Sequence, residues 1–394
     1  MSAVLTAELD QLIRFGSAHY DYHLRLRNDS AGLRRRLAEL DTDRFILVTD
    51  KKVPGHHVDR MRSRAAAVAP CTTLVIDAGE RAKTLAGIED LAVRALRDGA
   101  SRRSVVIGFG GGLPGNVAGL LAHVFMRGVR LVHIPTTLLA MSDSVLSLKQ
   151  AVNTSEGKNQ IGGFHAPQFV WADLDYLKSL PPAEIRSALC EMIKNVLAIA
   201  PDHYDWAAVR LQPDARYTQW TLASFITFCI EAKQKVMAED EHETGRALAL
   251  EYGHTVGHAI ELLTPGGMSH GLAIGLGMLA EARVSRELGF LGADAERAHR
   301  VLLERAGVPV ELPFRTPGRD FLGLFHRDNK RGYRPPEPGT VDMILLDELG
   351  SVHRESGTYV TRVPDDTAIR GVSQLLPPLP PRPRVSTAVA FQAA

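Results

Sequence analysis

The feature that most limits the fold of this chain lies in its first half, where short apolar runs alternate with helical patterns. Residues 45–50, 73–80, 104–108 and 129–134 are each about one strand long and built around Val, Ile and Leu. Residues 85–97 and 115–125 carry apolar side chains at helical spacing. Strands that alternate with helices pair in parallel, since each crossover needs a dozen or more residues, and the helices then cover both sheet faces. The fold class is therefore α/β. Ligands of such sheets bind beyond the carboxyl ends of the strands, which points to Asp50, Glu80 and the glycines after residue 108.

Gly110-Gly111-Gly112-Leu113-Pro114-Gly115 follows a strand, opens a helix and satisfies G-x-G-x-x-G. Glycines there let the backbone approach a pyrophosphate, whose charge is favoured at a helix N-terminus. The match is incomplete: it follows a later strand than the first, and no acidic residue stands about 20 positions beyond it. Asp50 is the alternative holder of ribose hydroxyls, and a tight turn without a ligand is the plainer reading. Residues 135–153 then form the densest polar stretch, followed by Gly157-Lys158-Asn159. Lys149, Lys158 and Asn159 are the cations and amide donor that a phosphate ester needs, or else ordinary residues of a solvated loop.

From Pro181 onward helical periodicity takes over, with Ile185, Leu189, Met192, Ile193 and Val196 as an apolar stripe. Glu191 and Lys194 share a face of that helix, either as a surface ion pair or with Glu191 turned toward a metal. His254 and His258 are four apart, and His270 follows a Pro265-Gly266-Gly267 turn that can fold it back. Three imidazoles can thus converge, and two His with one Glu and an open position is a catalytic metal pattern; two satisfied surface histidines are the alternative. The run 239–243 reads as a solvated acidic turn, Gly275 and Gly277 as close helix packing, and 326–331 as a surface turn or the far wall of a site.

The length of 394 residues suits two domains, and 46 Lys plus Arg against 45 Asp plus Glu leave no excess cation to coat nucleic acid or an anionic membrane. Cys71, Cys190 and Cys229 fit neither a disulfide framework nor a Cys-based zinc site, so a reducing cytoplasm is expected. The start has no secretory pattern and no run spans a membrane; the Pro-rich end, 373–394, reads as a disordered tail.

Taken together, Gly110-Gly111-Gly112-x-x-Gly115, Pro135-Thr136-Thr137-Leu138-Leu139-Ala140 with Asp143, Gly157-Lys158-Asn159, Glu191-x-x-Lys194, and Gly253-His254-x-x-Gly257-His258-Ala259-x-Glu261 with His270 resemble the sugar phosphate cyclases, the superfamily of dehydroquinate synthase, over about residues 40–350. The resemblance implies a Rossmann-like NAD-binding domain (1–178) followed by a mainly α-helical metal- and substrate-binding domain (179–372). It implies zinc or cobalt on Glu191, His254 and His270, with His258 on substrate instead. NAD+ would be held by Asp50, Glu80, Lys83, Gly110, Gly111, Gly112, Asn116, Thr136, Thr137, Asp143 and Lys158. Asp143, Lys149, Lys158, Asn159, Lys194, Lys233, His258 and Lys330 would line the substrate pocket, with Lys149, Glu251, His258 and Asp143 as the catalytic groups, and Arg127 would reach a partner subunit's site, implying a homodimer.

Three departures narrow the substrate. Dehydroquinate synthases have an Arg where this chain has Ala247, an Asn where it has Glu251, and an Asp where it has Asn116. The first two remove a cation and add an anion, so a carboxylated substrate would be repelled at that end. The expected activity is a carbon–oxygen lyase that closes a carbocycle from glucose 6-phosphate for 2-deoxystreptamine aminoglycosides. A cyclase of sedoheptulose 7-phosphate, a dehydroquinate synthase and a metal-dependent polyol dehydrogenase are the alternatives.

Overall fold

A computed structural model describes residues 8–265, 267–328, 330 and 332–377; all but the first few residues of the expected tail lie outside the described residues. The first part comprises β1 (Glu8–Phe15), β2 (Ala18–Arg25), α1 (Ser30–Ala38), β3 (Phe45–Asp50), α2 (Gly55–Ala66), β4 (Cys71–Ile76), α3 (Leu85–Arg97), β5 (Val105–Gly110), α4 (Gly112–Val124), β6 (Arg130–Pro135), β7 (Lys149–Val152), β8 (Ile161–Phe164) and β9 (Phe169–Asp173). Seven of these strands form one sheet in the order β1-β2-β9-β6-β5-β3-β4, parallel except for the β1–β2 hairpin.

The four expected strands, β3, β4, β5 and β6, are contiguous in it, with β4 at one edge. Every residue of β3, β5 and β9 is buried, as a parallel sheet covered by helices on both faces requires. The reading from sequence did not identify β1, β2 and β9 as strands. In β1 and β2 the buried Ile13, Phe15, Tyr20, Tyr22 and Leu24 alternate with polar residues, a two-residue period diluted by charge. β9 is only five residues long. β3 has β4 on one side and β5 on the other. The winding therefore reverses between β3 and β5, and the crevice at their carboxyl ends carries Asp50 and Gly110.

The second part is mostly helical: α5 (Pro182–Ala198), α6 (Tyr204–Arg210), α7 (Gln219–Met237), α8 (His254–Leu263), α9 (His270–Glu287), α10 (Ala293–Arg305), α11 (Gly318–Phe325) and α12 (Asp365–Ser373). In α5 every residue from Ser187 to Ala198 is buried, including Glu191, Lys194 and Asn195. A helix buried all round that still carries charges must pair them, because an unpaired buried charge is prohibitively costly.

The glycines of α9 explain how the helices come together, as expected for Gly275 and Gly277. A Cβ on Gly277 would lie 2.0 Å from the Gly253 carbonyl oxygen, and one on Gly271 would lie 1.8 Å from the Ser187 carbonyl oxygen. α9 is therefore pressed backbone to backbone against both α8 and α5. Gly253, at φ +82°, turns the chain into α8. The first residues of α8 and α9, His254 and His270, are thereby brought over Glu191 of α5. No disulfide joins the three cysteines, and among the described residues no helix is long and apolar enough to cross a membrane.

Candidate active site

A cleft of about 430 Å³ opens at the β3/β5 crevice. Asp50, Glu80, Gly111, Gly112, Thr136 and Thr137 line it, as expected of cofactor contacts. Asp50 Oδ1 accepts the N–H groups of Lys52 (2.9 Å) and Val53 (3.2 Å), which fixes the carboxylate at the rim and leaves Oδ2 for a ribose hydroxyl. The α4 N-terminus at Gly111 has no side-chain cap, so its first N–H groups are available to a pyrophosphate. Gly110 serves the fold: it has φ +144°, and a Cβ there would meet Pro114 at 2.5 Å.

Other expected cofactor residues stand elsewhere. Asn116 does not line the cleft; its Oδ1 accepts the Ala151 N–H at 2.7 Å, tying α4 to β7. Lys83 is buried and donates to Asn159 Oδ1. Cleft residues to which the reading from sequence gave no site role include His57, whose Nε2 pairs with Ser179 Oγ at 3.2 Å, Tyr176, Ser179 and Glu184. They come from α2, the 174–179 turn and the start of α5, so no local motif marks them.

Glu184 and Glu191 are seven apart on α5, two helical turns, so one helix joins the cleft to the second cluster. There Glu191 Oε1 lies 3.4 Å from His270 Nε2 and 3.8 Å from His254 Nε2. Glu191 is buried, and its other oxygen takes the Lys194 ammonium. The tautomers follow from the other ring nitrogens. His254 Nδ1 faces the Tyr252 carbonyl oxygen at 3.2 Å, and His270 Nδ1 faces Glu261 at 3.4 Å. With each Nδ1 donating, each Nε2 would be left to offer its lone pair to a cation held by Glu191. One carboxylate and two imidazole nitrogens, all within 4.8 Å, suit a divalent cation with an open position.

His258 also approaches, its ring 5.3 Å from that of His254, so the three imidazoles do converge. Its Nδ1, however, pairs with Asp328 Oδ2 at 3.2 Å. Glu191 and Lys194 pair as well, and with exposures of 1% and 2% they are not the surface pair that spacing allowed.

Around this trio, cations and carboxylates alternate. Lys233 meets Asp143 at 2.8 Å, and Lys330 meets Asp328 at 2.8 Å. Lys149 meets Glu243 at 2.6 Å and Glu251 at 3.4 Å, while Lys330 reaches the other oxygen of Glu251 at 3.5 Å. Burial alone would favour a neutral Glu251, but Lys149 and Lys330 hold its carboxyl well below the usual range. Glu251 is thus flanked by two lysines, but each also serves a second carboxylate, Glu243 or Asp328, so the two cations do not cancel the negative charge expected at this end. Ala247 is fully buried and offers no cation.

The acidic turn is also corrected. Asp240 accepts the N–H groups of Thr244, Gly245 and Ala247, Glu241 binds Ser17, and Glu243 is buried on Lys149. Only a partner 94 residues away in sequence distinguishes Glu243 from a solvated acid. Asp328 was visible only as part of a polar run. Arg127 is exposed at φ +68° on the corner after α4 and bonds to no group of the cluster among the described residues.

The 3-dehydroquinate synthase N-terminal family matches residues 73–187, and the 3-dehydroquinate synthase C-terminal family matches residues 188–331. A 2-deoxy-scyllo-inosose synthase of Streptomyces kanamyceticus is 44% identical, with 92% of this chain and 93% of that protein covered. One from Niallia circulans is 40% identical over 82% and 87%. A crystal structure of 2-deoxy-scyllo-inosose synthase with carbaglucose-6-phosphate, NAD+ and Co2+ superposes with a TM-score of 0.87 at 33% identity, covering 93% of this chain and all of that one. A 2-epi-5-epi-valiolone synthase from Streptomyces hygroscopicus with NAD+ and Zn2+ shares the fold, at TM-score 0.78, 20% identity and coverage of 93% and 99%. With these relatives and this architecture, the chain belongs to the 2-deoxy-scyllo-inosose synthase family, built on the dehydroquinate synthase fold.

Proposed function

We propose that this chain converts D-glucose 6-phosphate into 2-deoxy-scyllo-inosose and inorganic phosphate, as a carbon–oxygen lyase of 2-deoxystreptamine aminoglycoside biosynthesis. The observation that carries the reading is the Glu191, His254 and His270 trio set among lysines, one helix away from the cleft at the β3/β5 crevice. A polyol dehydrogenase acting on a neutral substrate has no use for those lysines.

Asp50, Glu80, Gly111, Gly112, Thr136 and Thr137 would hold NAD+, with Lys83, Gly110, Asn116, Asp143 and Lys158 acting from around the cleft. Glu191, His254 and His270 would hold Zn2+ or Co2+. Bound NAD+ supplies reversible hydride removal at C4, and the bound ion supplies chelation and acidification of vicinal hydroxyls. Oxidation at C4 acidifies the C5 proton, so phosphate can leave from C6. Re-reduction at C4, ring opening and attack of the C6 enol on the C1 aldehyde then close the six-membered carbocycle.

The chain's own groups hold the substrate through these steps. Lys149, Asn159, Lys194 and His258 bind the phosphate, which itself takes the C5 proton; Lys158, Lys233 and Lys330 complete the cationic wall. Glu251, kept ionised by Lys149 and Lys330, serves the aldehyde end during closure. With Ala247 buried, that end has no arginine for a substrate carboxylate, which favours glucose 6-phosphate over dehydroquinate synthase chemistry.

Residues 1–178 and 179–372 are proposed as the two domains, in keeping with a sheet that ends at Asp173 and helices that start at Pro182. Arg127 on its exposed corner fits a role in a partner's site, so a homodimer in the cytoplasm is proposed. Sedimentation at twice the 43.0 kDa chain mass would support the dimer.

The test is phosphate release from glucose 6-phosphate with catalytic NAD+ and added Co2+ or Zn2+, with absorbance monitored for NADH. Phosphate and a cyclic ketone without lasting NADH are expected. Steady NADH without phosphate would overturn the reading in favour of a dehydrogenase.

A further inference from the structure

Glu261 belongs to the His254-x3-His258-x2-Glu261 run, and no step above uses it. It stands seven residues after His254, on the same face of α8. Its two oxygens serve two different elements. Oε2 faces Nδ1 of His270, the first residue of α9, at 3.4 Å, while Oε1 pairs with the ammonium of Lys158 in the loop between β7 and β8. Glu261 is largely buried, at 16% exposure, so little water competes for either contact.

These two contacts compete for one charge. A carboxylate that accepts an imidazole N–H raises the basicity of the opposite ring nitrogen, here the His270 Nε2 aimed at Glu191. An ammonium on the same carboxylate opposes that donation, because its positive potential offsets the negative charge felt by the ring. Lys158 also lines the small cleft bounded by His258, Asn159 and Asp328, where it faces an incoming anion. Its backbone neighbour Asn159 is pinned, with its N–H on Asn153 Oδ1 at 2.9 Å and its side chain on Lys83. The loop therefore stays in place, and the lysine side chain, 26% exposed, is the part free to turn.

We propose that Glu261 is a positioning residue that couples the metal trio to anion binding: an anion that draws Lys158 away leaves the full carboxylate charge on His270, and the metal ion is held more tightly. By linkage, a bound metal ion tightens anion binding by the same factor. The inference rests on the metal and phosphate roles proposed above.

The test is the Co2+ dissociation constant of the full-length protein, measured by chelator competition with and without inorganic phosphate. In the unaltered chain phosphate tightens Co2+ by about fivefold, the lower end of ordinary coupling. Glu261→Gln weakens Co2+ by about tenfold or more and abolishes the phosphate effect. Lys158→Met, which frees Glu261 without touching the trio, binds Co2+ several-fold more tightly than the unaltered chain even without phosphate. Co2+ affinity unchanged in Lys158→Met, or a phosphate effect that survives in Glu261→Gln with an unchanged melting curve, would overturn the coupling. Co2+ affinity unchanged in Glu191→Ala would instead overturn the metal assignment itself.

Discussion

At the scale of the residue, the site is a set of buried charges, each defined by its partner. Glu191 at 1% exposure lies beside one ammonium and two imidazoles, so truncating it strips the trio and leaves Lys194 buried without its partner. Glu191→Ala or His254→Ala is expected to lower phosphate release at least a hundredfold, and Co2+ titration should show the lost affinity directly. Glu251→Gln keeps the shape but leaves Lys149 and Lys330 with less negative charge between them. For a residue that moves a proton, kcat should fall about a hundredfold with KM changed much less; an unaltered kcat would reduce Glu251 to a binding role. The convergence of Glu191 with His254, His258 and His270 was readable from sequence, but the choice of His270 over His258 as the second imidazole ligand came from the family resemblance and not from spacing. The partners of Glu243, Glu251 and Asp328 were not readable, because each comes from a distant element.

At the scale of the element, three helices carry the metal trio, and their separation is set by glycine. The Gly277 position leaves 2.0 Å between a would-be Cβ and the Gly253 oxygen, so Gly277→Ala must push α8 and α9 apart. Overpacking of this kind costs about 1–3 kcal/mol, occasionally more. The expected result is a lower unfolding midpoint together with weaker Co2+ binding, since His254 and His270 open the two helices being separated. A variant that lost stability but kept full Co2+ affinity would show that the trio tolerates a wider gap. The sequence displayed the glycines and the helical period. It did not display which backbone each glycine meets, because Gly271 faces α5 while Gly277 faces α8.

At the scale of the whole molecule, the core carries titratable groups that serve folding. His133 of β6 and His299 of α10 are fully buried, and burial brings both down to about 4, below the ordinary value of about 6.5. Each must stay neutral in the folded chain; His299 receives the Tyr252 hydroxyl on Nε2 at 2.8 Å and donates from Nδ1 to the Ala295 carbonyl at 2.7 Å. Their depressed values stabilise the fold fully above pH 6.5. That contribution is lost as pH falls toward 4, by about 1.4 kcal/mol per pH unit for each group. Thermal unfolding between pH 7 and 4.5 should show the decline, and His299→Gln should flatten it by about one proton; an unchanged slope would remove His299 as a cause. What the sequence by itself determined was periodic or local: the parallel α/β half, the helical half, the glycine turn after β5 and the residue types of the metal trio. Those follow from side-chain period and short-range backbone chemistry. The tertiary structure alone decided the seven-stranded order with its β1–β2 edge, the burial of Glu243, the placement of Glu251 between two lysines and the sharing of Glu261. Each of these depends on contacts between groups far apart in the chain, and no local pattern encodes which distant charge a buried charge will meet.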